Sequence, residues 1–225
     1  LLFTETNSSF DFTDNKKNNF DIKCLIGKFE CKINVMLGFV TGLVTANAFE
    51  WYFHKYVLHE QGKKKDNFWR FHWAEHHKTV LKEGYRDSDY EKNILESWNP
   101  QSKEVASLAV AAVAVAPLFP IAPGFVSALW LSQYNYYRVH KKSHLDPEWG
   151  YKYLPWHYDH HMAPDQEKNW CVTFPFWDHV MGTRLVYKGT EREQLDIIRR
   201  ERKLKFQQEK INNNTINPLG TISLN

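Results

Sequence analysis

Residues 71–78 read FHWAEHHK, and three of these eight positions are histidine. Histidine recurs at short spacing in three other segments, FHKYVLHE (53–60), VHKKSH (139–144) and WHYDHH (156–161). The four segments hold ten of the eleven histidines in a chain of 225 residues. Such clustering in separate segments indicates a fold built around a shared site for imidazole groups.

The spacing within the clusters is typical of helices, because residues three or four positions apart share one helix face. Three pairs are expected to direct both rings the same way: His72 with His76, His140 with His144, and His157 with His160. His77 and His161 each add a ring about 100° further round. His54 and His59 are five apart and diverge by about 140° on a regular helix, so we expect them to straddle a site.

The residue type points to metal. Neutral imidazole is the commonest metal ligand in proteins and suits iron, copper, zinc or nickel. One ion takes about four to six ligands, so ten rings predict two metals rather than one. Large aromatic residues such as Phe71 and Trp73 alternate with the histidines, which indicates packed helices and not a flexible polyhistidine tract.

Composition limits the other possibilities. A chain of 225 residues is one domain, or one domain with tails. The net charge of +3 and the mixing of basic with acidic residues give no case for nucleic-acid binding. Cys24, Cys31 and Cys171 lie outside the histidine clusters, so we interpret them as reduced packing residues, which suits a site that faces the cytosol.

Two uncharged stretches predict contact with a membrane. Residues 33–49 read INVMLGFVTGLVTANAF, which as a helix is about 26 Å long and close to the thickness of a bilayer core, roughly 30 Å. Residues 105–137 are also uncharged and are divided by three prolines, which predicts a helical hairpin with short arms. The alternative is a soluble bundle of buried helices, which the mean hydropathy of −0.57 favours.

The positions of the clusters and charges predict the orientation. Two clusters directly follow the apolar stretches, so the site is expected at the membrane surface. Basic residues surround the second cluster whereas the hairpin tip PIAPG is uncharged, which places the site on the cytosolic side. The basic residues are Lys63, Lys64, Lys65, Arg70, Lys78 and Lys82. Lys23, Lys28 and Lys32 conflict with a single simple crossing and leave the number of crossings open.

The motifs FHKYVLHE, FHWAEHHK, VHKKSH and WHYDHHMAP, followed by NWCVTFPFWDHVMGTR, resemble the fatty acid hydroxylase and sterol desaturase superfamily of integral-membrane oxygenases. The resemblance covers roughly residues 50–184, apart from the hairpin. Within the superfamily the arrangement is most similar to fatty acid 2-hydroxylases, while EWYFHKYVLH also resembles carotenoid hydroxylases.

This resemblance implies an all-α, membrane-associated helical bundle with a histidine-rich dimetal centre on the cytosolic side. It implies two iron ions that activate O2 to attack an unactivated C–H bond of a lipid, with zinc as a substitute in a purified sample. The implied ligands are His54, His59, His72, His76, His77, His140, His144, His157, His160 and His161. Binding requires neutral rings, so metal affinity should fall below about pH 6.5.

Composition and the resemblance together divide the chain into three regions. Residues 1–32 form a polar, partly disordered segment, residues 33–188 the hydroxylase-like membrane domain, and residues 189–225 a charged helix followed by coil. The expected location is the endoplasmic reticulum or a bacterial inner membrane. No cytochrome b5 domain is recognisable, so electrons are expected from a separate donor such as cytochrome b5 or a ferredoxin.

Carboxylates close to the clusters are candidates to hold the other nitrogen of a ligating ring. They are Glu50, Glu60, Glu75, Asp159 and Asp178. We expect His179, outside the clusters, to support the site or the fold rather than to bind metal. Five aromatic residues are candidates for the wall of an acyl channel, with ordinary core packing as the alternative: Trp156, Trp170, Phe174, Phe176 and Trp177.

Several readings of the function stay open at this point. The leading hypothesis is hydroxylation of a lipid, with a fatty acyl chain favoured. A lipid desaturase and a carotenoid or sterol hydroxylase share the same metal chemistry. A non-catalytic membrane metal-binding protein belongs to a different class. The lysine-rich segment near residues 63–82 is expected to meet either an acidic redox partner or anionic lipid headgroups.

Overall fold

A computed structural model describes residues 12–216, with side chains described at 28–30 and 32–212. Within these ranges the chain is helical and has no β-strand, which confirms the all-α prediction. The α-helices are α1 (Phe12–Phe53), α2 (His77–Glu83), α3 (Pro100–Val115), α4 (Pro123–Leu145), α5 (Pro147–Tyr153), α6 (Pro155–Met162), α7 (Phe176–Val180) and α8 (Glu191–Ile216). Two π-helices (His54–Gln61 and Phe71–His76) and two 3₁₀ turns (Ser88–Glu91 and Ala116–Leu118) complete the order.

Local signals explain where the short helices begin and end. α5 and α6 each start at a proline, whose fixed φ suits the first helical position. The Asp146 carboxylate caps α5 by accepting the Trp149 N–H at 3.1 Å. α2 ends at Gly84, which has φ of +70°, a left-handed conformation that glycine adopts without steric cost.

The chain divides into two compact units. The first falls within Leu1–Ala46 and Ala106–Asn135. Here α1 packs directly on the start of α4, because a Cβ on Gly124 would lie only 2.0 Å from the Val35 carbonyl oxygen. A Cβ on Gly42 would likewise lie 2.7 Å from the carbonyl oxygen of Phe125. Glycine is therefore required at this crossing, as in helix pairs that approach closely.

The surface of the first unit is apolar. Met36, Val110 and Val113 each expose about 70% of their area, and Ile121 exposes 83%. Among the described residues, one helical segment, Lys28–Gln61, is long and apolar enough by length and composition to cross a membrane. The predicted hairpin is confirmed as α3 and α4, joined through the proline-containing turn, with the Trp130 ring stacked on Phe119 at 5.4 Å.

The second unit, Asn47–Val105 and Tyr136–Asn225, contains the histidine clusters. Three small apolar clusters form its core, centred on Tyr85 with Tyr158, on Trp51 with Trp170, and on Val139. Most of its largest fully buried side chains are histidines. A core of this composition is unusual, because buried polar groups cost free energy unless they have partners.

The ends of the chain differ from expectation in detail. The backbone is helical from residue 12, inside the segment predicted to be partly disordered, and residues 1–11 lie outside the described residues. α8 begins at Glu191 and extends to Ile216, inside the region 189–225 that was predicted to be a charged helix followed by coil. Cys171 is buried and unpaired, in agreement with its predicted packing role, whereas the side chains of Cys24 and Cys31 lie outside the described residues.

Candidate metal centre

All ten clustered histidines are buried in the second unit, and none exposes more than 3% of its area. They come from five elements: the two π-helices, α2, α4 and α6. Buried imidazoles must be satisfied by hydrogen bonds or by a ligand. The partners of each ring therefore show what this core is built to hold.

The first group contains five histidines with one ring nitrogen each, all within 4.8 Å of one another: His54, His59, His72, His77 and His160. Their Nε2 atoms face each other. His54 and His72 are 2.9 Å apart, and His59 and His77 are 3.1 Å apart. The His77 Nε2 also lies 3.2 Å from that of His72 and 3.3 Å from that of His160.

The second group contains His76, His140, His144 and His161, whose nitrogens also lie within 4.8 Å of one another. His157 adjoins this group, because its Nε2 lies 3.1 Å from that of His144. Thus the structure brings all ten of the predicted histidines together, in two sets of five. Histidines that are adjacent in the sequence belong to different groups in two places: His76 and His77, and His160 and His161.

The π-helices explain why histidines five positions apart share a group. In a π-helix the hydrogen bonds run from residue i to i+5, so residues five apart follow one another along one face. His54 and His59 lie at such a spacing, and so do His72 and His77. His54 and His59 therefore line the same site, and the divergence of about 140° expected for a regular α-helix does not apply to them.

The helix-face pairings were right for one cluster and wrong for two. His140 and His144 share the second group, as their α-helical spacing predicts. His72 and His76 are divided between the groups because the π-helix changes the phase of the chain. In α6 His161 and His157, four apart, stay together, while His160 turns to the first group.

The nitrogen geometry fits metal ions. Two imidazole lone pairs that face each other at about 3 Å repel unless a proton or a cation lies between them. Zinc and similar ions bind imidazole nitrogen at about 2.0–2.1 Å, which places neighbouring nitrogens of one coordination shell about 2.9–3.4 Å apart. The contacts in both groups, 2.9–3.3 Å, match this separation. The Nε2 atoms of His76, His140 and His161 are buried and have no hydrogen-bond partner among the described residues.

In several histidines, Nδ1 is the ring nitrogen that faces away from the group, and a backbone carbonyl accepts its hydrogen bond. The Nδ1–H of His54 donates to the Trp170 carbonyl at 2.6 Å, and that of His160 donates to the Lys168 carbonyl at 2.6 Å. His144 Nδ1–H donates to the Tyr85 carbonyl at 2.9 Å. A ring that donates through Nδ1 carries its lone pair on Nε2, the atom that faces the group.

Three carboxylates also lie within hydrogen-bond distance of a histidine Nδ1, and the sequence analysis predicted none of them. Asp87 accepts the His76 Nδ1–H at 2.6 Å, and Glu104 accepts that of His140 at 2.6 Å. Glu167 lies 3.3 Å from the His59 Nδ1. These acids are 11, 36 and 108 residues from their partners, so no local spacing could identify them. Carboxylates in this position orient a ligating ring and make it more basic.

Two of the predicted carboxylates, Glu50 and Asp178, act through the backbone. Asp178 accepts the Trp170 and Cys171 N–H groups at 2.8 and 2.9 Å. Glu50 accepts the N–H groups of Val172 and Thr173. Together the two acids hold residues 170–173, where the Trp170 carbonyl accepts the hydrogen bond from the His54 Nδ1–H.

The other predicted supporting residues lie away from the rings. Asp159 is buried but binds Arg184 at 2.8 Å and the Lys188 N–H at 2.7 Å. Glu60 is exposed, and Glu75 pairs with Lys103 at 3.3 Å, so neither has a hydrogen bond to a clustered histidine among the described contacts. His179 is exposed and belongs to neither group, in agreement with its non-ligand assignment.

The predicted channel aromatics divide into two kinds. Trp170 is buried and packs against the rings of His59 and His160, at 4.7 and 5.6 Å between centroids. Trp177 packs on the apolar cluster of Trp51 and Trp170, and the Trp156 N–H donates to the Val172 carbonyl. Phe174 and Phe176 are exposed. The acyl channel itself stays a prediction.

Electrostatics keep the rings neutral. Burial, followed by repulsion from neighbouring rings, holds the pKa values of His72, His144 and His161 well below their usual range. Burial likewise lowers the pKa of His160 to about 4. Burial raises the pKa of Asp87, but the hydrogen bonds from His76 and the Asp89 N–H, together with the attraction of His76 and His140, outweigh burial and keep that pKa below its ordinary value. These four rings therefore present neutral nitrogens, the form that binds metal.

Helices that gather two adjacent groups of buried imidazoles define a class of all-α protein with a histidine-rich metal centre. The family model described as fatty acid hydroxylase matches residues 39–183, which is more than half of the chain. The chain therefore belongs to the fatty acid hydroxylase family, within the superfamily that its motifs resemble. Membership indicates an oxidoreductase of lipid oxygenase or hydroxylase type with a histidine-rich metal site. No curated protein and no solved structure matched the chain.

Proposed function

We propose that this protein catalyses the O2-dependent hydroxylation of a lipid, a fatty acyl chain in the first instance, at a nonhaem di-iron centre. One observation carries the proposal: two adjacent groups of five buried imidazoles, with nitrogens spaced as in coordination shells, lie inside the segment matched by the hydroxylase family. The ten ligands proposed are the ten clustered histidines.

The arrangement suits a pair of ions that work together. His77 of the first group and His161 of the second are 4.3 Å apart between ring centroids. Imidazole ligands are neutral, so bound cations keep most of their positive charge. When bound, iron supplies the redox chemistry that lets O2 react with an unactivated C–H bond.

The chain's own residues contribute geometry and a dry site. Asp87 and Glu104 fix the orientation of His76 and His140 through their Nδ1–H groups. Glu50 and Asp178 fix the Trp170 carbonyl, which orients His54. Trp170, 1% exposed, covers His59 and His160 and excludes water from that side of the first group.

The location proposed is an integral membrane position, in the endoplasmic reticulum or a bacterial inner membrane, with the metal centre facing the cytosol. The apolar surface of the first unit and the candidate span at Lys28–Gln61 support the membrane. A surface of exposed aliphatic side chains is stable in lipid, where helices satisfy their own backbone groups. Proteins of this family are typically membrane-bound.

Partners follow from the chemistry. Lipid oxidation by O2 consumes electrons, so we propose a separate donor such as cytochrome b5 or a ferredoxin. Lys64, Lys65, Lys78 and Lys82 are exposed and form a basic surface for an acidic carrier. Lys63 is less available, because it pairs with Glu167 at 2.5 Å.

The test is an assay of full-length protein in detergent, loaded with iron under anaerobic conditions and given reductant, O2 and a lipid extract. Mass spectrometry should detect a product heavier by one oxygen atom, and the oxygen should carry label from ¹⁸O2. His160→Ala should lose product and metal, whereas His179→Ala, at an exposed histidine, should keep both.

The same assay distinguishes the alternative functions by their products and by metal content. A loss of two hydrogens without added oxygen would identify a desaturase that uses the same ligands. Two bound metals per chain without O2 uptake would identify a metal-binding protein and reject the oxygenase. Fewer than two metals per chain would reject the dimetal centre itself.

A further inference from the structure

Residues 174–181, FPFWDHVM (the α7 segment), present an apolar surface in the second unit. Four side chains of this segment expose between 45% and 61% of their area: Phe174, Phe176, Val180 and Met181. Exposed apolar groups concentrated in one place mark a surface for a partner or for lipid. The proposed metal chemistry uses none of the four side chains.

The polarity of the α7 segment is the reverse of that at a water surface. A surface helix in water buries its apolar face and exposes its charged residues. In the α7 segment the acidic residue Asp178 is fully buried, while apolar residues on both sides of it are exposed. No other Asp, Glu, Lys or Arg occurs between Asn169 and Thr183. The exposed side chains of this segment therefore suit an apolar environment.

Hydrogen bonds fix the inward direction of Asp178. Its carboxylate accepts the Trp170 and Cys171 N–H groups at 2.8 and 2.9 Å and the Thr183 hydroxyl at 2.7 Å. Its backbone carbonyl accepts the Thr183 N–H at 2.8 Å, which closes the turn at residues 178–183. The exposed apolar side chains are therefore held on an ordered backbone.

The α7 segment is attached to the end of α1. The Asn47 side-chain amide donates to the Phe174 carbonyl at 2.9 Å. Asn47 belongs to the candidate membrane span Lys28–Gln61. Phe49 and Tyr52, on the same part of α1, are also more than half exposed. The apolar surface of the segment therefore adjoins a helix that itself exposes apolar side chains.

A bilayer is the partner that this surface fits. Aromatic side chains are stable at the boundary between headgroups and acyl chains, and the exposed His179 has an apolar ring with a polar edge that suits the same boundary. The contact with α1 favours lipid over a second protein, because the surroundings of the candidate span extend to the α7 segment. We propose that the α7 segment lies in the membrane interface and inserts its four exposed apolar side chains into the bilayer that α1 crosses. This proposal rests on the membrane location proposed above, and neither on the metal ions nor on the oxygenase.

Fluorescence quenching of the full-length protein in lipid nanodiscs tests this surface. Phe176→Cys and Val180→Cys, each combined with Cys24→Ser and Cys31→Ser, are labelled with the environment-sensitive dye NBD. An interfacial helix buries its apolar face roughly 5–10 Å into the lipid boundary, so phosphatidylcholine that is spin-labelled near the start of its acyl chain should quench both labels about twofold. Iodide in the aqueous phase should quench both labels at least about twofold less than it quenches a label on a water-exposed helix.

Three controls accompany the two labelled positions. A label at Met36→Cys, on α1 and 68% exposed, should be quenched by the spin-labelled lipid and reports the membrane location itself. A label at Leu204→Cys, on α8 and 53% exposed, lies between Lys203 and Lys205, so iodide should quench it and the spin-labelled lipid should not. The protein without an added cysteine keeps the buried Cys171 and should take up no dye.

Absence of lipid quenching at either Phe176→Cys or Val180→Cys would overturn the proposal. With iodide quenching it would indicate a surface in water, and with neither quencher effective it would indicate that protein covers the segment. Lipid quenching at Met36→Cys in the same preparation would confine that failure to the α7 segment, whereas its absence there as well would reject the membrane location. None of these measurements uses iron or turnover, so their failure leaves the oxygenase proposal intact.

Discussion

The buried imidazoles of the centre use their two nitrogens differently. In seven rings Nε2 faces another Nε2 at about 3 Å, and in six of the ten rings Nδ1 has a hydrogen-bonding partner in a carbonyl or carboxylate. This division fixes the tautomer before a metal arrives. The carboxylate partners are buried with their histidines at two rings, where Asp87 and Glu104 expose 0% and 8% of their area.

Asp87→Asn tests the role of the carboxylate. The amide oxygen can still accept the His76 proton, but the loss of charge makes the ring a poorer ligand, so metal affinity should fall about 10–100-fold. Competition with a chromophoric chelator measures that affinity. Asp89→Asn is the matched control, because Asp89 lies two residues away and pairs with Lys92 instead of a histidine.

Equal metal affinities in the two variants and the wild type would show that Asp87 stabilises only the local backbone and does not affect His76 as a ligand. That outcome has a structural basis, since Asp87 also accepts the Asp89 N–H at 2.9 Å. A fall in both variants would instead assign the effect to the turn at Ser88–Glu91.

At the scale of elements, the two π-helices decide which histidines meet. A π-helix is costly in isolation and persists where tertiary contacts maintain it, frequently at functional sites. Here it converts a five-residue spacing into a shared face, at His54 with His59 and at His72 with His77. Because His72 belongs to the first group and His76 to the second, one short segment supplies both groups.

A deletion and an insertion in the first π-helix test this account. Removing Val57 leaves the two histidines four apart, which on an α-helix still share a face, so the variant should retain most of its metal. Inserting Ala after Val57 leaves them six apart and on different faces, so metal content should fall by at least one ion per chain. Elemental analysis of both purified variants gives the comparison.

The opposite ranking, with metal retained after insertion and lost after deletion, would show that the π-helical phase does not align these rings. Circular dichroism of each variant should show unchanged helix content. Both changes alter the chain by one residue at the same place, so each serves as the control for the other.

At the scale of the whole molecule, a core of neutral histidines makes stability depend on pH. The pKa of His160 is about 4 in the folded chain and about 6.5 when unfolded, so the unfolded state binds more protons between these values. Stability is therefore complete above about pH 6.5 and is lost as the pH falls towards 4. Each such ring contributes about 1.4 kcal/mol per pH unit within that window.

The metal-free protein should show this as a thermal midpoint that is constant above about pH 6.5 and falls steeply below it. His160→Gln should give a shallower fall, because one buried titrating ring is removed. His179→Gln, at an exposed ring, should reproduce the wild-type curve. A midpoint that is independent of pH from 7 to 4.5 would contradict the burial of neutral rings.

The amino-acid sequence alone predicts the all-helical class, the helical hairpin, the family and the ten histidines of the centre. These are local properties: apolar runs, proline positions and short motif spacings are written in consecutive residues. The pairing of His140 with His144 was predicted for the same reason, because it depends only on one regular helix.

How the histidines are divided and what holds them depends on how the helices pack. The π-helical phase depends on packing, so α-helical spacing gave His72 the wrong partner; in α6, His160 faces the first group although His157 adjoins the second. Asp87, Glu104 and Glu167 meet their histidines across 11 to 108 residues. The physical reason is the same in each case, since contacts between residues far apart in the chain are fixed by how helices pack and not by local spacing.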